Sequence, residues 1–344
     1  MTDIESVHSA SRIDRKLPRV VIIATGGTLA SVAKSAAQTT NYGDASLEAD
    51  ALLSEVPAIN KLATVTTIQF CMIGSEHMTS EILINLRNVI DDVFSADAPD
   101  GLVITHGSDT MEETATFLDL TYNGHAPIVL VAAMRPAAAL SADGPFNLYQ
   151  AVSLAASPTA CGRGVMMTWS NRIGSAMYTT KVSSRAVDAF DAGDKGLVGT
   201  FVDHRPVFYY PPSRSSGHPY LDVSGRGVVL PKVAILYGHQ EMDAHLLRLV
   251  VDHGAAGIVV ACTGDGTLPL EWAASEQKLL SAGIPVVRSS RLVSTYIAPR
   301  KGCITAGCYN PQKARILLML ALYAYQGSNI SKIQELFDPM ALEI

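Results

Sequence analysis

Short runs of β-branched and other apolar residues alternate along the chain with longer segments of helical period. Residues 20–24, 101–105, 128–133 and 164–168 read as strands, each followed by a loop and then an amphipathic stretch. Helices are expected over 79–94, 110–122 and 144–157, where Met111 shares a face with Ala115, and Phe117 with Leu120. The strands are apolar almost throughout, which means burial on both faces. The pattern therefore predicts an α/β fold with a mainly parallel sheet, and such sheets carry their sites at the carboxyl ends of the strands.

From 203 to 231 the texture changes: Pro206, Pro211, Pro212, Pro219 and Pro231 stand among Ser, Gly and Arg, a linker composition. Beyond it the alternation resumes, with strands at 233–237, 257–261 and 284–288 and a helix from about Asn310 to Tyr325. Pro311 opens that helix and Gly327 follows its end. A chain of 344 residues exceeds the size at which one core usually stops growing. The expected division is a flexible tail at 1–17, an α/β domain at 18–205, a linker at 206–231 and a second α/β domain at 232–344. No repeat of 20 to 50 residues and no low-complexity tract interrupts it.

Composition narrows the partners. With 48% hydrophobic residues and 17% charged, the chain can bury a large core, and disorder is not its dominant state. Its net charge is −6, and it has no long basic run. Nucleic acid and anionic membrane surfaces are thus disfavoured, because both require clustered Lys and Arg. No apolar stretch reaches the roughly 20 residues of a membrane span, and residues 1–19 lack the apolar core of a secretory signal. Five cysteines, an odd number, fit a reducing compartment. The histidines, His239 and His245 among them, show no ligand spacing, so no metal is expected.

Four segments carry candidate chemistry. Ala24-Thr25-Gly26-Gly27-Thr28 follows a strand directly, so paired glycines would let the backbone turn while Thr28 offers a hydroxyl. It lacks both the third glycine of a dinucleotide fingerprint and the Gly-Lys-Ser/Thr of a phosphate loop. Thr105-His106-Gly107-Ser108-Asp109-Thr110 puts a second hydroxyl and a carboxylate past another buried strand. Its N–H groups at a helix start can receive an oxyanion, and the competing reading is a capping box. The third segment runs from Ala133-Met134-Arg135-Pro136 to Ser141-Ala142-Asp143-Gly144, and the fourth is Tyr178-Thr179-Thr180-Lys181. Lys181 matters only if the fold brings it to Ser108 and Asp109.

Together with Gly74-Ser75-Glu76-His77-Met78 and Asn310-Pro311-Gln312-Lys313-Ala314-Arg315, these segments resemble, in order and over roughly 18 to 344, the bacterial-type L-asparaginases. The resemblance implies a smaller flavodoxin-like C-terminal domain and a homotetramer built from two intimate dimers. It further implies amide hydrolysis through an acyl-enzyme, without metal or organic cofactor; a cytoplasmic location is expected because the cysteine pair that periplasmic relatives use as a disulfide has no counterpart around residues 94 to 125. By position, Thr28 corresponds to the primary nucleophile and Tyr42 to its partner on a mobile lid. Ser108, Asp109 and Lys181 correspond to a second catalytic trio. Ser75 would bind the substrate α-carboxylate, and Glu76 with Asp109 its α-ammonium. Backbone N–H groups near Ser108 and Ala133 would receive the oxyanion, beside Gly27. Thr267 would face the neighbouring subunit's site.

Three positions depart from the family pattern. Ser108 stands where threonine is usual, which keeps the hydroxyl but loses the methyl that restricts χ1. Glu76 replaces a frequent glutamine, which makes secondary glutaminase activity an expectation. The segment 288–302 contains no acid, whereas the family places there a glutamate that a neighbouring subunit uses on the substrate ammonium. Three readings follow: an asparagine amidohydrolase, a hydrolase of a different small amide or lactam, or a non-catalytic amino-acid-binding protein. Paired nucleophile and base residues weigh against the last.

Overall fold

A computed structural model describes residues 16–40, 43, 46–214, 218–225, 227–293, 295–326 and 329–337. The tail before 16, Tyr42 and Gly327 lie outside the described residues.

The larger sheet is built from β1 (Arg19–Gly26), β2 (Thr64–Ile73), β3 (Gly101–Thr105), β4 (Ile128–Val131), β5 (Val165–Trp169) and β6 (Arg172–Ser175), with β9 (Gly199–Val202) and β10 (Arg205–Phe208) at one end. Its order is β10-β9-β6-β5-β4-β3-β1-β2. The strands from β2 to β5 pair in parallel and the rest antiparallel, so the sheet is mainly parallel, as the apolar runs imply. A separate hairpin pairs β7 (Thr180–Lys181) with β8 (Phe190–Asp191).

Alternation along β1 shows how the layers form. Val20 and Ile22 enter the core beneath α1 (Ala49–Ser54) and α4 (Gly144–Ala155), while Val21 and Ile23 enter the core beneath α2 (Ser80–Ala96) and α3 (Met111–Thr121). Helix α2 begins where the Thr79 hydroxyl accepts from the Ile82 N–H. Helix α3 is buried at every residue except the half-buried Glu113, because another helix packs behind it.

That helix, α7 (Pro311–Ala324), belongs to the smaller sheet. There β11 (Val233–Tyr237), β12 (Gly257–Cys262), β13 (Val286–Ser290) and β14 (Ile304–Thr305) run parallel in sequential order. Helices α5 (His245–Asp252) and α6 (Leu270–Ser281) cover one face; α7 and α8 (Ile330–Phe337) cover the other. Asn310 caps α7 by accepting from the Lys313 N–H at 3.0 Å. The packing of α7 on α3 makes the core continuous between the two sheets.

The large sheet runs on to Phe208, past the expected limit at 205. Pro206 is tolerated because β10 is an edge strand, where a missing N–H leaves no ladder bond unmade. Strand β2 has no counterpart in the apolar pattern: it is an edge strand rich in threonine and half exposed.

Candidate active site

Strands β1 and β3 end side by side, and both chains turn there. The Thr25 hydroxyl donates to the Thr105 carbonyl at 2.8 Å. At Gly27, with φ +80 and ψ −175, the backbone passes so close to Gly107 that a Cβ would sit 2.4 Å from the Gly107 Cα. Thr28 follows on a single 3₁₀ turn, Thr28–Ala30, and thereby faces the loop after β3.

That loop is held from behind by His106, which is fully buried. Its Nδ1 lies 2.7 Å from the Gly107 carbonyl. A carbonyl only accepts, so Nδ1 carries the proton and Nε2 accepts from the Thr114 hydroxyl at 2.9 Å. Burial pushes this imidazole down to about 4, against the raising effect of the Gly107 bond, and the ring is neutral near pH 7. From the side, the Thr110 hydroxyl donates to the Ser75 carbonyl at 2.7 Å, so Ser75 is buried against Gly107. Ser108 does not cap α3. Its Oγ turns the other way and accepts from Lys181 Nζ at 2.8 Å, and Lys181 also bonds Asp109 Oδ1 at 2.5 Å.

These groups line one cavity of about 500 Å³, with Gly27, Thr28, Ser31, Thr39, Thr40, Gly74, Ser75, Glu76, Gly107, Ser108, Asp109, Met134, Arg135, Lys181, Ser184 and Arg185 on its wall. Lys181 is largely covered, its side chain 13% exposed, while that of Asp109 is 71% exposed. Glu76 folds back over Gly74 and pairs with His77 at 3.6 Å. Among the described residues, no group of three or more His, Cys, Asp or Glu could hold a metal ion, and no helix is long and apolar enough to cross a membrane. All five cysteines are free thiols.

Eight of the ten residues singled out from sequence occupy or adjoin this cavity. Ala133 is the one of the eight that is buried behind the wall rather than on it. The next two N–H groups, of Met134 and Arg135, are already bound to the Asp143 carboxylate at 2.9 Å each. Thr267 lies in the loop after β12 and is not on the cavity wall of its own chain. Tyr42 lies outside the described residues. Sequence reasoning missed Glu112, two residues past the Ser108-Asp109-Thr110 segment. Its carboxylate accepts from the Thr180 hydroxyl at 2.8 Å and from Asn310 Nδ2 at 2.9 Å. The signal was present in the Asn310-Pro311-Gln312-Lys313 motif, which carried no assigned role.

Comparison with known proteins fits this geometry. The family described as "Asparaginase, N-terminal" matches residues 19–214, and "Glutaminase/Asparaginase C-terminal domain" matches 232–337. The chain is 38% identical over 342 residues to L-asparaginase 2 of Bacillus subtilis, covering 97% of this chain and 90% of that one. It is 38% identical over 332 residues to the glutaminase-asparaginase of Acinetobacter glutaminasificans, covering 92% and 98%. A solved structure from Campylobacter jejuni, described as a probable cytoplasmic L-asparaginase, superposes with a TM-score of 0.88 at 41% identity, covering 93% of this chain and 99% of that one.

Proposed function

Because the chain belongs to the asparaginase family of amide hydrolases, we propose that it converts L-asparagine to L-aspartate and ammonia through an acyl-enzyme on Thr28. The observation that carries this reading is the convergence of Thr28, Ser108, Asp109 and Lys181 on one cavity, with Lys181 Nζ 2.8 Å from Ser108 Oγ.

Thr28 Oγ1 attacks the amide carbon and its proton leaves with the amine as ammonia; water then cleaves the resulting ester and restores the hydroxyl. Tyr42 is Thr28's partner in this scheme. The trio of Ser108, Asp109 and Lys181 relays the proton, since a neutral hydroxyl is a weak nucleophile without a base. Backbone N–H groups near Ser108 and Ala133 receive the oxyanion, while the N–H groups of Met134 and Arg135 are engaged by Asp143. Ser75 binds the α-carboxylate, with Glu76 and Asp109 on the α-ammonium. No metal or organic cofactor takes part.

Secondary hydrolysis of L-glutamine belongs to the same proposal; Glu76 and the likeness to a glutaminase-asparaginase support it. So does a homotetramer of two intimate dimers in which Thr267 serves the neighbouring copy's site, for it does not line its own. The two matched regions, 19–214 and 232–337, support two domains with a junction between 214 and 232, and a cytoplasmic location accords with the Campylobacter jejuni protein's description.

The test is ammonia release from L-asparagine, L-glutamine and D-asparagine, with Thr28→Ala as control. Turnover of L-asparagine that vanishes in the variant supports the proposal. A folded protein inactive on all three defeats it and redirects attention to another small amide or lactam.

A further inference from the structure

One buried cation takes no part in the steps above. Lys313, in the first turn of α7, is 1% exposed. Its Nζ donates to the carbonyls of Ala176 at 2.6 Å, Met177 at 3.1 Å and Thr179 at 2.5 Å, and Glu112 Oε2 lies 3.9 Å away. Burial lowers this ammonium to about 8 against the raising pull of Glu112 and Asp119, so it still carries its proton near pH 7. An ammonium has three protons to donate, and here three carbonyls receive them. A buried charge persists only where its donors are met in this way.

Those three carbonyls belong to the turn that leads into β7, the strand carrying Lys181. The same turn is held by further bonds. Glu112 Oε1 accepts from the Thr180 hydroxyl at 2.8 Å and from the Lys181 N–H at 3.4 Å. Asn310 Nδ2 donates to Glu112 Oε2 at 2.9 Å and to Thr180 Oγ1 at 3.2 Å. By itself β7 is weakly anchored, with two residue pairs to β8 and no place in the large sheet. Yet Lys181 must hold its Nζ within reach of Ser108 and Asp109.

We infer that Lys313 and Asn310 are positioning residues for Lys181: together with Glu112 they clamp the turn at 176–180, so that the site at the end of the large sheet depends on helix α7 of the same chain. The inference rests on the hydrolase reading, in which Lys181 acts on the Ser108 hydroxyl.

Two variants test it. Asn310→Ser keeps a good helix cap while deleting both Nδ2 bonds to Glu112 and Thr180, and Lys313→Met keeps length while deleting the ammonium. Each is measured for kcat and KM on L-asparagine, for melting, and for hydrogen exchange across the segment 176–182. Expected are a fall in kcat of about tenfold or more with KM within about threefold, since small displacements of a catalytic group are costly. Exchange in 176–182 should quicken about tenfold while the rest of the chain is unchanged. A folded variant whose exchange at 176–182 is unaltered, or whose kcat stays within about twofold of wild type, overturns the inference. If Lys313→Met fails to fold, Asn310→Ser decides. If the wild type releases no ammonia, the hydrolase reading falls separately, and local exchange alone decides the clamp.

Discussion

Lys181 Nζ lies 2.8 Å from Ser108 Oγ although the two residues stand 73 positions apart, one on the isolated hairpin strand β7 and the other in the loop after β3. Neither element touches the other's ladder, so the contact is made for the side chains. We expect Lys181→Met and Ser108→Ala each to lower kcat by about 10² to 10⁴, the range of a lost acid–base group. Ser108→Thr should retain activity with a changed rate or asparagine-to-glutamine ratio, since the added methyl restricts χ1. Steady-state kinetics on both amides check this, and a threonine variant indistinguishable from wild type would remove the argument about the methyl.

Gly27 makes a second prediction. Its backbone, φ +80 and ψ −175, is in a region that only glycine occupies at little cost, and a Cβ would meet the backbone of Gly107. Gly27→Ala should therefore cost about 2 to 4 kcal/mol, combining strain and displacement of the loop that bears Ser108. Urea unfolding and ammonia release measure the two parts. Full activity at unchanged stability would contradict the close approach of the two strand ends.

Acid should weaken the fold through His106. Burial holds its imidazole at about 4, below the ordinary 6.5, so as pH falls below about 6.5 the unfolded chain takes up a proton that the folded chain refuses until near pH 4. The stability present above 6.5 is thus lost across that window, by roughly 3 kcal/mol for a fully buried group. Urea midpoints of wild type and His106→Gln, compared at pH 7 and pH 4.5, should show the steeper loss in wild type. Equal losses would show that other groups dominate acid unfolding.

The strands that carry the site were legible because they are buried on both faces. Residues 101–105 match β3 to the residue, and the ends of β1 and β3 bear the glycines and hydroxyls that punctuate the sequence; 233–237 match β11 as well, although that strand is partly exposed and lies away from the site. Strand β2 was illegible for the opposite reason: Thr64, Thr66 and Thr67 give an edge strand no apolar period. The clamp on Lys181 was hidden by distance. Glu112 and Asn310 stand 198 positions apart, and nothing local distinguishes a glutamate that caps a helix from one that grips a turn. Lys313 stands in a motif that carried no role, and it is buried because α7 is covered on the α3 side too.

A buried ion pair behind the Thr267 loop gives a fourth prediction. Glu276 is fully buried and Arg288 is 12% exposed; Arg288 Nε donates to Glu276 Oε1 at 2.8 Å while Nη1 reaches the Gly266 carbonyl at 3.3 Å. The bond to Glu276 is the main reason that the guanidinium is held above its usual range. Glu276→Leu leaves that charge buried and unmatched, and should cost about 3 to 5 kcal/mol. By contrast, Asp252→Ala removes the exposed pair with Arg248 and should leave thermal unfolding nearly unmoved. Similar small effects from both variants would mean that Arg288 finds water when its partner is gone.

The segment between β13 and β14 bears most directly on substrate choice. Residues 291–303 contain no acid, and one of their cations, Arg300, is committed to Asp265, bonding its carboxylate at 2.8 Å. In the proposed binding mode, the described residues of the cavity wall offer the substrate ammonium two carboxylates, Glu76 and Asp109. Both are well exposed, with side chains at 64% and 71%, so water competes for them. One missing charged hydrogen bond is worth about 1.5 to 3 kcal/mol, which corresponds to about tenfold to a hundredfold in binding. We therefore expect the enzyme to discriminate poorly between L-asparagine and its des-amino analogue succinamate, with kcat/KM values within about tenfold of each other. Placing an acid in the segment, as Arg300→Glu, would also break the pair with Asp265, so the substrate comparison is the cleaner test. A micromolar KM for L-asparagine together with rejection of succinamate would show that the two wall carboxylates suffice, and that the basic segment plays no part in selecting the ammonium.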